Sequence, residues 1–439
     1  MDIKRPLLVV IVTFFFSIFL MLGMLIKVQS NSEIPELGKD FTAVFQTLDQ
    51  NYVDPINRKN LFIQVVSELV NRDHYSGYLE EESFAKFEEN IEGNYVGIGA
   101  EFDRKVDHLL ITNIIPFSSA SGVLKFDDRI YRINKQDVEN LDNSQIATLI
   151  RGPENSELTL EIRRGSDENL LPIVLKRKKV EKSAIRFVFL IDSEKGIGYI
   201  NIEIFNNNLA ENFRREYAKL LNETPKMKSL ILDLRGNPGG GLYSAVDFCD
   251  LFLKSGLIVA TVGNEKGTGS LDEKFNATIN GELPLVPLLI LLDRDSASAS
   301  ELSAGCLQDF KIAKIFGEKS YGKGEAQTSF PMHSRVIGDY GIKLTTSRFY
   351  TNSGFEKKPK VSISGKGIIP DYPYDYGFQD QYLARFKRLN RAWGIWNQEL
   401  AEHHSVMETK TNSTYFSNLE KTDPGLKMAI EILSKQGEK

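Results

Sequence analysis

The segment Leu291-Leu292-Asp293-Arg294-Asp295-Ser296-Ala297-Ser298-Ala299-Ser300-Glu301 runs from an apolar strand through a turn of small residues into a helical pattern. A serine at such a junction presents its hydroxyl at a sheet edge, with the next amide at a helix N-terminus. Amide and helix dipole both favour negative charge, which is what an oxyanion forming beside Ser298 during acyl transfer requires. The same serines also suit capping, with Ser296 or Ser300 in that place, and taken alone the segment favours capping. A second segment, Gly317-Glu318-Lys319-Ser320-Tyr321-Gly322-Lys323-Gly324-Glu325-Ala326-Gln327, sets Lys323 between two glycines, where close backbone approach can turn its amine inward. A lysine held away from water loses solvation of its charged form, so its pKa falls and the neutral amine can take a serine's proton. Gln327 can hydrogen-bond and fix that amine; the alternative is an ordinary solvated loop lysine. A third segment, Ile231-Leu232-Asp233-Leu234-Arg235-Gly236-Asn237-Pro238-Gly239-Gly240-Gly241, is a buried strand ending in a glycine-rich loop. It lacks the lysine ending of a P-loop and the spacing of a dinucleotide fingerprint. One of its glycine amides suits a second oxyanion donor, and a tight turn needing positive φ accounts for others.

Other chemistries fit less well. The five histidines form no HExxH and no Cys/His cluster, which argues against zinc. Cys249 and Cys306 lie in apolar helical patterns and read as small core residues rather than a disulfide. With 41% hydrophobic and 26% charged residues and a net charge of -5, the chain is globular and offers no nucleic-acid-binding surface.

The elements that must position these residues fall into several domains, because 439 residues exceed one ordinary core. Lys4 and Arg5 precede an uncharged run from Leu7 to Ile26, long enough to cross a bilayer, with the basic flank on the cytoplasmic side. Residues 1–30 therefore read as an N-terminal anchor or signal segment; the long run and the lack of a clear cleavage site favour an uncleaved anchor. Either version exports the remainder. Residues 31–92 read as helical and amphipathic, as in Leu61 to Val70, with a turn at Asp73 to Gly77. Residues 93–182 change to short strands, Gly97–Phe102, His108–Ile114, Arg129–Asn134, Leu158–Arg163 and Leu171–Leu175, around one helix at Ser144–Ile150. Residues 183–376 alternate strands (Gly196–Ile202, Ser229–Leu234, Val286–Leu292) with helices (Asn208–Leu221, Ser300–Phe310), which implies a largely parallel sheet covered by helices. Residues 377–439 read as a charged helical extension with Trp393 and Trp396, its final stretch poorly ordered.

Together, Asp233 to Gly240, Ser296 to Glu301 and Tyr321 to Gln327 closely resemble the signature segments of the carboxyl-terminal processing peptidases, or tail-specific proteases, in order and in separation. The resemblance runs from about Asp73 to Asp371. Tyr95 to Phe102 looks like the start of the family's PDZ domain and Ile150-Arg151-Gly152-Pro153 like the segment after its peptide-binding helix; Leu344 to Tyr350 and Gly367 to Asp371 also fit. It implies an α/β catalytic domain of ClpP/crotonase-like type, a PDZ-like α+β domain, and helical N- and C-terminal segments. It further implies Ser298 as nucleophile, Lys323 as general base, Gln327 orienting the lysine, and Ala299 with Gly239 or Gly240 as oxyanion donors. Asp309 matches an acidic family position and is expected to be structural. Gly97, Ile98 and Gly99 would form the amide-rich turn that gathers a tail carboxylate. From Ser118 to Asp128 the chain departs from the family's GSPA-like turn and lacks the glycine before Asp128, which implies an altered loop and puts tail selectivity in question. The expectation is a membrane-anchored endopeptidase with its catalytic part outside the cytoplasm, cleaving proteins at or near an apolar C-terminal tail through an acyl-enzyme, without metal or organic cofactor. Its expected partners are protein or peptide substrates with free C-termini and the membrane, with no nucleic acid and homo-oligomerisation left open. The rivals are a catalytically silent tail-binding adaptor on the same fold and a crotonase-like acyl-CoA enzyme, the latter disfavoured by an exported location.

Overall fold

The computed structural model describes residues 33–222, 226–264, 272–278, 283–377 and 423–436. The Leu7–Ile26 run and the two tryptophans lie outside them, and among the described residues no helix is long and apolar enough to cross a membrane. The chain divides into two compact units: residues 1–81 with 263–271 and 327–346, and the remainder.

In the first unit, α1 (Glu33–Asn51) and α2 (Arg58–Val70) precede β1 (Gly77–Glu80). Asn57 caps α2 by accepting the Asn60 amide at 3.1 Å. The expected turn is built by Asp73, whose Oδ1 accepts the Tyr75 and Ser76 amides, both at 2.8 Å. Burial works against the Asp73 charge, but these bonds prevail and hold its carboxyl below the usual range. No strand pattern marks Gly77–Glu80 in the sequence. The strand exists because its partner supplies the ladder, Gly77 to Glu80 pairing antiparallel with Lys343 to Tyr340.

The second unit begins with a small antiparallel domain, reached through α3 (Glu81–Glu92). β2 (Asn94–Gly97) is followed by β3 (Ala100–Arg104), β4 (Leu109–Ile114), β5 (Arg129–Ile133), α4 (Asn143–Ile150), β6 (Glu157–Arg163), β7 (Leu171–Lys176) and β8 (Lys178–Glu181). The sheet runs β3-β4-β5-β6-β7, with β2 and β8 forming a separate ribbon. Leu158, Leu160 and Ile162 alternate inward with no exposure, the period of two that makes a one-sided strand. α4 starts in a reciprocal box, Asp142 and Gln145 each accepting the other's amide at 2.8 Å. The expected Gly97–Phe102 strand is broken, because Ile98 is buried and Gly99 turns with φ 76. β3 consequently starts at Ala100, three residues later than expected, and occupies a sheet edge. At the departure from the family pattern, Asp127 takes φ 65 without being glycine. Beside it the buried Asp128 ties the loop down, accepting the Lys125 amide at 2.8 Å and two bonds from Arg164.

The remainder holds a six-stranded sheet ordered β9 (Ile185–Asp192), β10 (Ile197–Ile202), β11 (Ser229–Asp233), β12 (Leu288–Leu292), β13 (Ala313–Gly317), β14 (Tyr372–Pro373), parallel except for β9. Every residue of β11 and β12 is buried, as expected of central parallel strands covered on both faces. One face packs on α5 (Leu209–Asn222), α6 (Leu242–Asp250) and α7 (Ala299–Asp309) through Phe213, Phe248 and Leu302. The two cysteines are buried there and free. The other face packs on α8 (Pro424–Gln436) through Leu426, Ala429 and Leu433. For residues 424–436 this corrects the expectation of a poorly ordered end: the apolar spacing of α8 fills the sheet's second face. Just before β14, Asp371 accepts the Ile315 amide at 2.9 Å, Gln308 at 3.0 Å and Lys314 at 2.8 Å. Burial opposes its charge, yet these donors lower its pKa. Its stabilisation is therefore complete above the unfolded carboxyl's value of about 3.9 and is lost as pH falls through the lower folded value. We expect Asp371→Asn to be less stable than the parent at neutral pH, with the difference in Tm shrinking as the pH is taken down to about 2.

Candidate active site

Between β12 and α7 the chain makes the expected junction. Ser298 stands at the N-cap position, half-buried, with φ 56 and ψ -114. A side-chain-bearing residue at positive φ is strained, and a strand-to-helix turn of this kind pushes a serine hydroxyl outward. Its serine neighbours do not cap α7. Ser296 Oγ donates to the Leu234 carbonyl at 2.9 Å and accepts the Asp293 amide at 3.0 Å, while Ser300 Oγ donates to the Asn237 carbonyl at 3.0 Å. Both hydroxyls thus fasten the serine turn to the glycine-rich loop.

That loop lies against Ser298. A methyl group at Gly239, where φ is 101, would sit 2.8 Å from Ser298 Cβ, the Ala299 nitrogen and the Ala297 carbonyl. Asn237 spans the two segments, its carbonyl accepting the Ala297 amide at 3.0 Å and its Oδ1 accepting the Gly239 amide at 2.8 Å. Asp293 Oδ1 accepts the Gly236 amide at 2.9 Å and the Ser296 amide at 3.0 Å; burial pushes its carboxyl above the usual range.

The lysine loop meets the same turn. The Tyr321 amide donates to the Ser296 carbonyl at 3.0 Å. Glu301, without exposure, then gathers four donors. Its Oε1 accepts Ser320 Oγ at 2.5 Å and the Gly322 amide at 2.6 Å. Its Oε2 accepts the Ser298 and Lys323 amides, each at 2.8 Å. Those two backbone nitrogens are thus no farther apart than twice that length. Burial pushes the Glu301 carboxyl upward, against the pull of its four donors. Lys323 itself is half-buried, and Gly324 is packed so closely on Ser362 and Ser364 that a side chain there would collide with both.

A profile for peptidase family S41 matches residues 196–374, and one for the PDZ domain matches residues 86–163. Residues 196–374 belong to peptidase family S41. A probable CtpA-like serine protease of Staphylococcus aureus is 30% identical over 336 residues, and one of Staphylococcus haemolyticus matches to the same extent. The match takes in 76% of this chain, which spans 64% of the length of these curated relatives. A putative S41 protease of Bacteroides fragilis is similar in structure at 17% identity, covering 81% of this chain and 92% of its own, with a TM-score of 0.44. The photosystem II D1 C-terminal processing protease is similar at 21% identity, covering 76% and 86%, with a TM-score of 0.41.

Within the matched residues, Ser298, Ala299, Gly239 and the backbone of Lys323 converge, as do the segments that carry the resemblance. Gln327 belongs to the first unit, where its Nε2 donates to Thr345 Oγ1 at 3.2 Å. Asp309 accepts the Ser353 amide at 2.8 Å, holding the start of the short helix Asn352–Glu356, in keeping with a structural part. In the PDZ region the Ile98 and Gly99 carbonyls accept the Ala120 and Ile115 amides at 2.9 and 2.8 Å, which fixes the turn at the start of edge strand β3. Sequence reasoning missed Glu301 and Asn237 as organisers of the candidate site. Glu301 follows Ser298 in the Ser-x-x-Glu spacing of a capping box, a signal that explains one of its four bonds.

Proposed function

We propose that this chain is a serine endopeptidase that acts outside the cytoplasm on proteins whose C-terminal tails its PDZ domain captures. The observation that carries this reading is the single Glu301 oxygen accepting from both the Ser298 and Lys323 amides at 2.8 Å. In this reading Lys323, as neutral amine, takes the Ser298 hydroxyl proton while Oγ attacks the scissile carbonyl carbon. The resulting oxyanion is stabilised by backbone amides of Ala299 and the glycine loop. Because the Gly239 amide already donates to Asn237, the Gly240 amide is taken as the loop's donor to the oxyanion. Lys323 passes its proton to the departing amine as the C–N bond breaks, leaving an ester on Ser298. Water then attacks that ester, with Lys323 again as base, and frees both the serine and a new carboxyl terminus. Gln327 orients the lysine, as the family resemblance implies. The serine protease names of the staphylococcal relatives support the chemistry. Edge strand β3 supports the capture, since its open side can accept a tail as a further strand. Lys4, Arg5 and the Leu7–Ile26 run support membrane anchoring with export of the domains C-terminal to them.

A serine-reactive phosphonate should label the wild-type protein once, at Ser298, with the mass shift lost in Ser298→Ala. A tail-binding adaptor on the same fold would bind peptides and stay unlabelled. Gly239→Ala supplies a second check: the added methyl would press on Ser298 and the Ala299 amide. Cleavage of fluorescein-labelled casein should fall in kcat by about 10²-fold or more, the scale of losing one oxyanion donor.

A further inference from the structure

We propose that Glu301 is a positioning residue for the Ser298–Lys323 pair, its buried carboxylate fixing the nucleophile's turn and the lysine's loop in one register. The inference rests on the catalytic reading of those two residues and adds to it the element that holds them together. A helix cap accounts for only the Ser298 amide, which donates across the three-residue interval of a capping box. The other three donors, Ser320 Oγ and the Gly322 and Lys323 amides, come from 19 to 22 residues further along the chain. An ionised carboxylate has about four lone-pair sites and no donor, so these four groups fill it. Hydrogen bonds to a charged acceptor are roughly twice as strong as neutral ones, and with no exposure water does not compete. The arrangement is also specific by atom. Oε2 takes the amides of the nucleophile and of the base, while Oε1 takes Ser320 and Gly322. Ser320 Oγ in turn accepts the Ile368 amide at 2.7 Å, and the Gly322 carbonyl accepts the Gly365 amide at 2.8 Å. The clamp therefore extends from α7 through the lysine loop to the segment beneath it.

Glutamine at this position keeps the shape but turns an NH₂ group toward two of the four donors, so half the clamp faces its own kind. In folded Glu301→Gln, kcat on fluorescein-labelled casein should fall about 10²-fold with KM within about twofold, the cost of a misplacement of roughly 1 Å. The midpoint of the acidic limb of its kcat/KM profile should also move, a change that loss of a helix cap alone would not bring about. Glu301→Asp, with the charge kept and the reach shortened, should recover part of the kcat. Wild-type kcat and pH profile in Glu301→Gln would overturn the proposal and leave the carboxylate a helix cap. Should Glu301→Gln not fold, Ser320→Ala decides. It removes one donor from the same carboxylate and should lower kcat at unchanged KM, and an unaltered kcat would overturn the proposal as well. Casein cleavage that survives Ser298→Ala would instead sink the underlying catalytic reading, so the two failures are told apart.

Discussion

Ser298→Ala, Lys323→Ala and the double variant should all lose casein cleavage to the same extent, by at least about 10³-fold in kcat, because groups acting as one unit are not additive. Each change leaves the backbone framework in place. The Ser298 and Lys323 amides still donate to Glu301, and alanine at position 298 meets the same positive φ that serine does. Thermal unfolding should accordingly stay close to that of the parent, so lost turnover reports chemistry rather than loss of fold. Turnover near wild type in either single variant would remove the dyad. A double variant much worse than both singles would mean that serine and lysine contribute separately, which the proposed proton transfer does not allow.

How far the sequence discloses this arrangement depends on the range of the interactions. The strands β11 and β12 are legible because they are buried on both faces and read as continuous apolar runs. The serine turn and the glycine loop are legible for a related reason: each is a contiguous segment whose residue types serve its own backbone. The clamp formed by Glu301 is not legible, since three of its bonds depend on where the chain returns after α7 and β13. β1 is hidden likewise, because four residues acquire strand pairing only from a partner near Lys343. The break at Gly99 is concealed by an apolar run that continues through Ile98, a residue buried in the turn instead of laddered in a strand. α8 shows the same effect at the longest range. Its apolar spacing is readable, but the face it covers is built by residues from Phe187 to Phe316, far back in the chain, so its ordering has no local signal.

That distant end of the chain also bears on the proposed active site through a charge. Arg235, which opens the glycine-rich loop, is almost wholly buried, with Nε and Nη2 on the Asp233 carboxylate at 2.9 and 2.6 Å and a second carboxylate, Asp423, at 3.3 and 3.1 Å. Burial works against the Arg235 charge, and the two carboxylates outweigh it, raising its pKa well above the ordinary value. Asp423 additionally accepts the Leu426 amide at 3.0 Å at the start of α8. Removing it strips a buried arginine of one partner and α8 of a capping bond. Breaking a buried pair in this way costs about 3 to 5 kcal/mol, several times a typical surface pair. We therefore expect Asp423→Ala to lower the Tm clearly, and kcat with it, because the loop carrying Gly239 and Gly240 starts at the arginine that has been released. Asp423→Asn, which can still accept from the Leu426 amide, should recover part of the stability. An Asp423→Ala protein with unchanged Tm would mean that Asp233 alone satisfies Arg235, and that the C-terminal helix does not help hold the glycine-rich loop in place.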